Sequence, residues 1–321
     1  MSQARGREIR TVCCFGVGLI GGGWAAHFLR AGLRVRAYDQ RPEARQQLYD
    51  QVRHAWPTLE KLGLAKNASP DRLSFTTNLD EAIDGVDFVQ ESAIEDEALK
   101  IRLLADLDAR LAPEIIVASS SAGFLADSLR RDCQSGGRIL VGHPFNPPYL
   151  VPLVEVVGGE GGDPVQVARA VEFYRSVGSH PIVLRKEIPG YIANRIQNAV
   201  FKEILYLLES GVASVAEIDD AITYGPAIRW AVNGPSRIFY LGASDAARYD
   251  TFVDSLADAL EQGHIAPDAF RITRALRGRY IEDVAASVGG KSRQELERVR
   301  DDGVVRVRHA LSGPGRTGSG V

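Results

Sequence analysis

The chain is short of several things, and each shortage narrows what it can be. Three cysteines in 321 residues are too few for a disulfide framework. Cys13 and Cys14 are neighbours in an apolar run, so on a strand they point to opposite faces and neither pair nor share a metal. They read as buried thiols of a reducing compartment, with the cytoplasm as the default location and no metal site expected. No apolar run approaches the ~20 residues needed to span a bilayer, and no secretory signal pattern is read near Met1. Excess charge is also missing. The 38 basic and 41 acidic residues leave a net charge of -3, which offers no electrostatic reason to expect nucleic acid or an anionic membrane as partner. A hydrophobic content of 45% and a charged content of 25% are those of an ordinary globular chain, long enough for two domains of ~100–200 residues each.

The first informative stretch is Ile9 to Asp39. Ile9 to Phe15 predicts a buried strand, and Gly16-Val17-Gly18-Leu19-Ile20-Gly21 follows it at once. Gly22 to Ala31 has helical character, Gly32 ends it, and Leu33 to Tyr38 predicts a second strand closing on Asp39. Strand, G-x-G-x-x-G turn, helix, strand and terminal acid in one run form the dinucleotide-binding βαβ unit. Gly16 permits the tight turn, Gly18 the approach of a pyrophosphate, and Gly21 the close packing of helix on strand. The amides that open the helix then face the phosphates, which brings Leu19 and Ile20 into the cofactor-contacting set. Asp39 is placed to accept both hydroxyls of the adenosine ribose and to repel a 2′-phosphate, so NAD is expected over NADP. Arg41 is expected to stack on adenine or to face solvent.

The second is Gly142 to Glu155. His143 follows the apolar run Ile139-Leu140-Val141, and Pro144 confines it to an extended backbone. Leu153 to Val157 predicts another buried strand with one charge in it, Glu155. A buried carboxylate needs a partner. That partner is either the His143 imidazole, which makes His143 a general base, or a backbone amide or an arginine.

Elsewhere, alternating strands and helices continue to about residue 187. Helical spacing covers Pro42 to Leu62, with Pro57 marking a kink or break. Strand ends fall at Glu91-Ser92 and at Ser119-Ser120-Ser121-Ala122-Gly123, on the edge where ligands of such sheets bind. From Pro189 onward only helical periodicity remains: Pro189 to Ser210, Val215 to Thr223, Pro235 to Gly242, Asp245 to Glu261, Pro267 to Val288 and Arg293 to Leu311. The N-terminal residues 1–8 are polar and expected to fray. The Gly- and Ser-rich tail 312–321 is expected to be disordered. The reading is an α/β chain: a Rossmann-type domain over 1–187, then an all-helical domain over 188–321.

Together these residues resemble the 3-hydroxyacyl-CoA dehydrogenase family over about residues 9–245. The resemblance rests on the Gly-rich turn with Asp39, on Gln90-Glu91-Ser92 followed by Lys100, and on His143-Pro144-Phe145-Asn146-Pro147. Leu153-Val154-Glu155-Val156 and Pro189-Gly190-Tyr191-Ile192-Ala193-Asn194-Arg195 complete it. Two details, His-Pro-Phe-Asn-Pro-Pro-Tyr and Ile228-Arg229-Trp230-Ala231-Val232, resemble the branch containing L-carnitine dehydrogenase and lambda-crystallin, an L-gulonate 3-dehydrogenase. The resemblance implies NAD as hydride acceptor, His143 as base, Glu155 as the group that holds its ring, and Asn194 reaching the reacting oxygen. It implies that Glu91 and Lys100 help position the cofactor and that Asn146 supports its nicotinamide side. It also implies a homodimer formed through the helical domain.

One departure stands out. The family places a serine at the position of Ala122, to bond the substrate oxygen. Either Ser121 or Ser120 shifts in, or the site serves another substrate, or activity is weak. Three functions follow: a dehydrogenase of a small 3-hydroxy acid, carnitine-like or gulonate-like; a 3-hydroxyacyl thioester dehydrogenase; and a non-catalytic NAD-binding or structural protein. A free acid needs one cation for its carboxylate, with Arg229, Arg195 and Arg237 as candidates and Trp230 beside the first.

Overall fold

The structure is a computed structural model that describes residues 8–243, 249–263, 265–267, 269–288 and 290–311. Residues 1–7, the tail 312–321 and the expected helix start at Asp245 lie outside the described residues. The chain divides into two compact units, residues 1–194 and 195–321.

The first unit is built on one eight-stranded sheet. In chain order its strands are β1 (Thr11–Phe15), β2 (Arg34–Tyr38), β3 (Leu73–Thr76), β4 (Phe88–Glu91), β5 (Ile116–Ser119), β6 (Ile139–Pro144), β7 (Leu153–Val157) and β8 (His180–Val183). Their order across the sheet is β3-β2-β1-β4-β5-β6-β7-β8. The first six are mutually parallel; β7 runs antiparallel to β6, and β8 is parallel to β7. Helices on both faces require central strands that are apolar throughout. Accordingly, β4, β5 and β6 are buried at every residue. One large core cluster joins Cys13, Val89, Leu104, Val117, Val141 and Tyr191. Burial pushes the Cys13 thiol up to about 12, so it stays protonated and serves as packing.

The carboxyl ends of β1, β4, β5 and β6 lie along one edge. Ser92 N–H donates to Phe15 O and Ser120 N–H to Glu91 O, each at 2.7 Å. The strand order turns back between β1 and β4, which is the switch point where such sheets open a ligand crevice. The first helix, Leu19–Arg30, starts there.

Local chemistry moves several element bounds. The helix Ala44–Leu62 runs through Pro57 without a break. The helix expected from Pro189 begins at Ala193, because Gly190 and Tyr191 both have positive φ, 77° and 48°. That conformation is uncommon for a side-chain-bearing residue and is compensated by its surroundings. Tyr191 is fully buried and donates its hydroxyl to Phe124 O at 2.6 Å. Glu187 likewise reaches back, accepting from Ala126 N–H. These ties keep residues 188–194 with the sheet.

Among the described residues of the second unit there is no strand. Its helices after Glu209 are Val215–Tyr224, Pro226–Asn233, Pro235–Gly242, Tyr249–Glu261, Arg274–Val288 and Arg293–Leu311. The short helix Pro226–Asn233, which carries Arg229 and Trp230, went unread in the sequence as a helix. Arg274 rather than Pro267 opens the one before the last. Ser214 and Glu217 form a capping box. A small core of Leu205, Leu208, Val215 and Leu276, with Phe270 and Tyr280 against it, holds the unit together. No helix among the described residues is long and apolar enough to cross a membrane.

Candidate active site

A pocket of about 560 Å³ opens at the switch point, lined by Phe15, Gly16, Gly18, Leu19, Ile20, Tyr38, Asp39, Arg41, Ser92 and Ala93, among others. The residues fit a dinucleotide. Gly16 has φ 81°, and a Cβ there would lie 2.8 Å from the Ser92 backbone. A Cβ on Gly21 would strike Gly16 O, whereas beside Gly18 there is open space. No side chain caps the helix at Gly18, so its first amides are left for a ligand.

Asp39 closes the adenosine end of this pocket, but its carboxylate is already engaged. Oδ1 accepts from Arg41 N–H and Arg41 Nε at 3.0 Å each; Oδ2 accepts from Val17 N–H at 3.3 Å and Arg41 Nη2 at 3.2 Å. Burial opposes ionisation of Asp39, and these hydrogen bonds outweigh it, holding its carboxyl below the usual range. Arg41, half-exposed, folds back on Asp39 and neutralises the residue expected to repel a 2′-phosphate.

His143 lies on β6 directly across from Glu155 on β7, their Cα atoms paired in the register. His143 Nδ1 is 2.8 Å from Glu155 Oε2. Glu155 is fully buried, and its Oε1 accepts from Ile192 N–H at 2.9 Å and Ala193 N–H at 3.0 Å. Both alternatives read from the sequence, imidazole and backbone amide, are thus present at once. Burial works to raise the Glu155 carboxyl, and the His143 bond and the two amides overcome it, so the group lies below its ordinary range. An ionised Glu155 only accepts, which assigns the proton to Nδ1 and leaves Nε2 with a free lone pair. Phe145 and Tyr191 flank the ring at 5.6 and 5.3 Å between centroids.

The other expected site residues fall in different places. Glu91 and Lys100 are both buried and pair at 2.8 Å. Neither is among the residues that line the pocket. They reach it through Ala93, whose N–H donates to Glu91 at 2.6 Å and whose carbonyl accepts from Lys100 at 3.2 Å. Asn146 is exposed just beyond β6, and Asn194 is half-buried at the second position of the helix Ala193–Glu209. Arg229 is exposed and Trp230 half-buried in the second unit.

The serines before Ala122 are committed. Ser119 donates to Glu91. Ser121 is buried, donates to Glu95 at 2.6 Å and accepts from Phe124 N–H at 3.2 Å. Ala122 N–H also donates to Glu95, at 2.9 Å. Ser120 belongs to a buried network with Trp24, Gln90 and Ser92. Glu95 and the Gln90 network were not singled out in the sequence. Their only signal there is a polar residue within or just past a buried strand.

The family model for the 3-hydroxyacyl-CoA dehydrogenase NAD binding domain matches residues 11–188. The model for the C-terminal domain of the same family matches residues 190–276. L-carnitine dehydrogenase of Nocardiopsis dassonvillei is 43% identical over 303 residues, 94% of this chain and 92% of its own. That of Pseudomonas aeruginosa is 41% identical over 304 residues, 95% and 94%. Among solved structures, the chain is similar to an NAD+-dependent dismutase, 5-formyl-3-hydroxy-2-methylpyridine 4-carboxylic acid 5-dehydrogenase. The TM-score is 0.82 at 27% identity, covering 95% of this chain and 99% of that one.

The Asp39–Arg41 pair makes a measurable statement about cofactor choice. Arg41→Ala removes a half-exposed cation from the place a 2′-phosphate would occupy. NADP affinity is expected to fall by up to about fivefold, the range of an exposed ion pair, while NAD affinity holds or rises. Fluorescence titration with both cofactors checks it, and tighter NADP binding by the variant would contradict it.

Proposed function

The chain belongs to the 3-hydroxyacyl-CoA dehydrogenase family, and we propose that within it the protein oxidises the 3-hydroxyl of a small hydroxy acid, L-carnitine or a close analogue. The observation that carries the chemistry is the buried His143–Glu155 pair. The substrate class rests on identities above 40% to L-carnitine dehydrogenases along nearly the whole chain.

NAD, held at the Gly16–Gly21 turn, would supply the acceptor for the hydride of the carbinol carbon. His143 Nε2 takes the hydroxyl proton as the carbonyl forms. Glu155 holds the ring in the productive tautomer and stabilises the imidazolium, and the Ile192 and Ala193 amides keep that carboxylate ionised and aimed. Asn194 is proposed to bond the reacting oxygen, Asn146 to support the nicotinamide side, and Arg229 with Trp230 to meet the substrate's charged ends. A cytoplasmic location is proposed from the buried thiols of Cys13 and Cys14.

The function is tested by NADH formation on L-carnitine, L-gulonate and 3-hydroxybutyryl-CoA. L-carnitine is expected to give the highest kcat/KM. Turnover of the thioester alone would assign the chain to acyl-CoA chemistry, and NAD binding with no turnover on any of them would make it a non-catalytic member. In the same assay His143→Gln is expected to lose at least about 10²-fold in kcat, the scale of general-base loss. Glu155→Gln should also lose activity, and both should keep NAD affinity. Near-normal turnover of the His143 variant would remove it from the mechanism.

Ala122 gives a second test. With Ser121 and Ser120 each bonded to neighbours, we propose that neither supplies the missing hydroxyl. A bond to an oxygen that is gaining charge is worth ~1.5–3 kcal/mol, so its loss costs roughly ten- to a hundredfold unless the substrate uses the apolar surface instead. Ala122→Ser is therefore expected to leave L-carnitine turnover unchanged or lower while improving other 3-hydroxy acids. A rise on every substrate would mark an impaired site.

The helical unit exposes Ile228, Val232, Phe239, Tyr240 and Leu241 on two consecutive helices. Apolar surface of that extent is usually covered, and a homodimer through this unit is proposed. Sedimentation equilibrium should give twice the chain mass of 34.9 kDa; a monomer at micromolar concentration would refute it.

A further inference from the structure

Donor and acceptor roles in the Ser120 network are forced, and they leave one proton unspent. Tyr174 is fully buried, and burial pushes its phenol well up, so it stays protonated. It donates to Gln90 Oε1 at 2.7 Å. That fixes the Gln90 amide: Nε2 faces Ala118 O at 3.3 Å, Gly142 O at 3.4 Å and Ser120 Oγ at 2.9 Å. Trp24 Nε1 donates to the same Ser120 Oγ at 3.2 Å. An indole N–H and an amide NH₂ can only donate. Neither can accept from Ser120, so its own proton goes to the remaining neighbour, Ser92 Oγ, at 2.8 Å. Ser92 accepts there, so its hydroxyl hydrogen has to be given elsewhere. Among the described residues, no other hydrogen bond of the Ser92 side chain is found.

Ser92 sits just past β4 at the switch point, half-buried, and lines the pocket. Its Cβ is 3.3 Å from where a Cβ on Gly21 would be, and its backbone packs on Gly16. We infer that Ser92 is a cofactor-contacting residue whose hydroxyl, locked as a donor by Ser120, bonds an acceptor oxygen in the middle of the dinucleotide, on the pyrophosphate or the nicotinamide-side ribose. The inference rests on the family's NAD binding. The four-residue chain from Trp24 and Gln90 through Ser120 leaves the Ser92 proton free for an acceptor on the cofactor. Ser92 thereby joins the Gly-rich amides as a second kind of donor beside them, contributed by a different strand.

Calorimetric titration of wild type and Ser92→Ala with NAD, ADP-ribose and AMP tests it without any turnover. Wild-type binding of NAD is the control: its absence would refute the cofactor assignment, not the role of Ser92. With that control met, the variant should bind NAD and ADP-ribose about tenfold more weakly, the scale of one hydrogen bond to a charged group. AMP, which stops short of the pyrophosphate bridge, should bind as before. Three outcomes overturn the inference: an unchanged NAD affinity, an equal loss for AMP, which would mean general damage to the pocket, and a loss confined to NAD, which would move the contact to the nicotinamide. Urea unfolding of the free variant separates any loss of stability from the loss of affinity.

Discussion

Glu155 is a carboxylate with no contact with solvent, and the arrangement around it is what makes that tolerable. Removing one partner from a buried charge typically costs ~3–5 kcal/mol, so each of its three donors constrains the chain. The imidazole comes from β6, which requires β7 to run antiparallel to it in this register. A slip of one residue would turn Glu155 to the other face of the sheet. The two amides come from Ile192 and Ala193, which requires the backbone to turn at Gly190 and Tyr191 before the helix begins. The positive φ of Tyr191 is thus the conformation that delivers two N–H groups to one oxygen, and its buried ring and hydroxyl bond hold it there. Sheet register, the reversal of strand direction and the entry to the helix all answer to the same charge.

The cofactor crevice follows a different economy. Of the residues that line it, only Arg41 is cationic, and Asp39 neutralises it. A bound pyrophosphate would meet dipoles in place of opposite charges: the uncapped amides at Gly18 and a hydroxyl at Ser92. Dipoles held by the fold need no counter-ion and little reorganisation, and they are screened by salt less than exposed charges are. The buried Glu91–Lys100 pair serves this wall from behind, fixing Ala93 through both its N–H and its carbonyl.

What could be read from the sequence was whatever is local. The βαβ unit is legible because its glycines, its apolar periodicity and Asp39 lie within one short run. The His143–Glu155 pair is legible because a charge in an apolar strand demands a partner and a histidine lies twelve residues away. The amides of Ile192 and Ala193 are 37 and 38 residues from Glu155, and nothing near Glu155 announces them, so imidazole and amide looked like alternatives when both were needed. That Arg41 pairs with Asp39 was not legible for a similar reason. Its partner is two residues off, but whether it folds back depends on how the loop after β2 closes. Pro57 predicted a kink or a break, and the helix continues through it. Gln90, Glu95 and Tyr174 were beyond reach, since their roles exist only after β4, β5, β6 and the helix Pro164–Ser176 come together.

The carboxyl edge of β5 shows how such tertiary commitments limit what a substitution can do. Three consecutive serines precede Ala122, and counting hydroxyls suggests a ready substitute for the one that is missing. The geometry says otherwise. Ser119 is bound to Glu91, Ser120 is held among Trp24, Gln90 and Ser92, and Ser121 bridges Glu95 and Phe124. Moving Ser120 inward would leave the Trp24 indole N–H without its acceptor, and moving Ser119 or Ser121 would take a hydrogen bond from the buried Glu91 or from Glu95; each loss offsets what a new substrate contact returns. Hydroxyls here work as parts of the scaffold. Beside Ala122 lies an exposed Glu95, whose Oε1 accepts hydrogen bonds from Ser121 and the Ala122 amide and whose Oε2 lies 3.5 Å from Lys100.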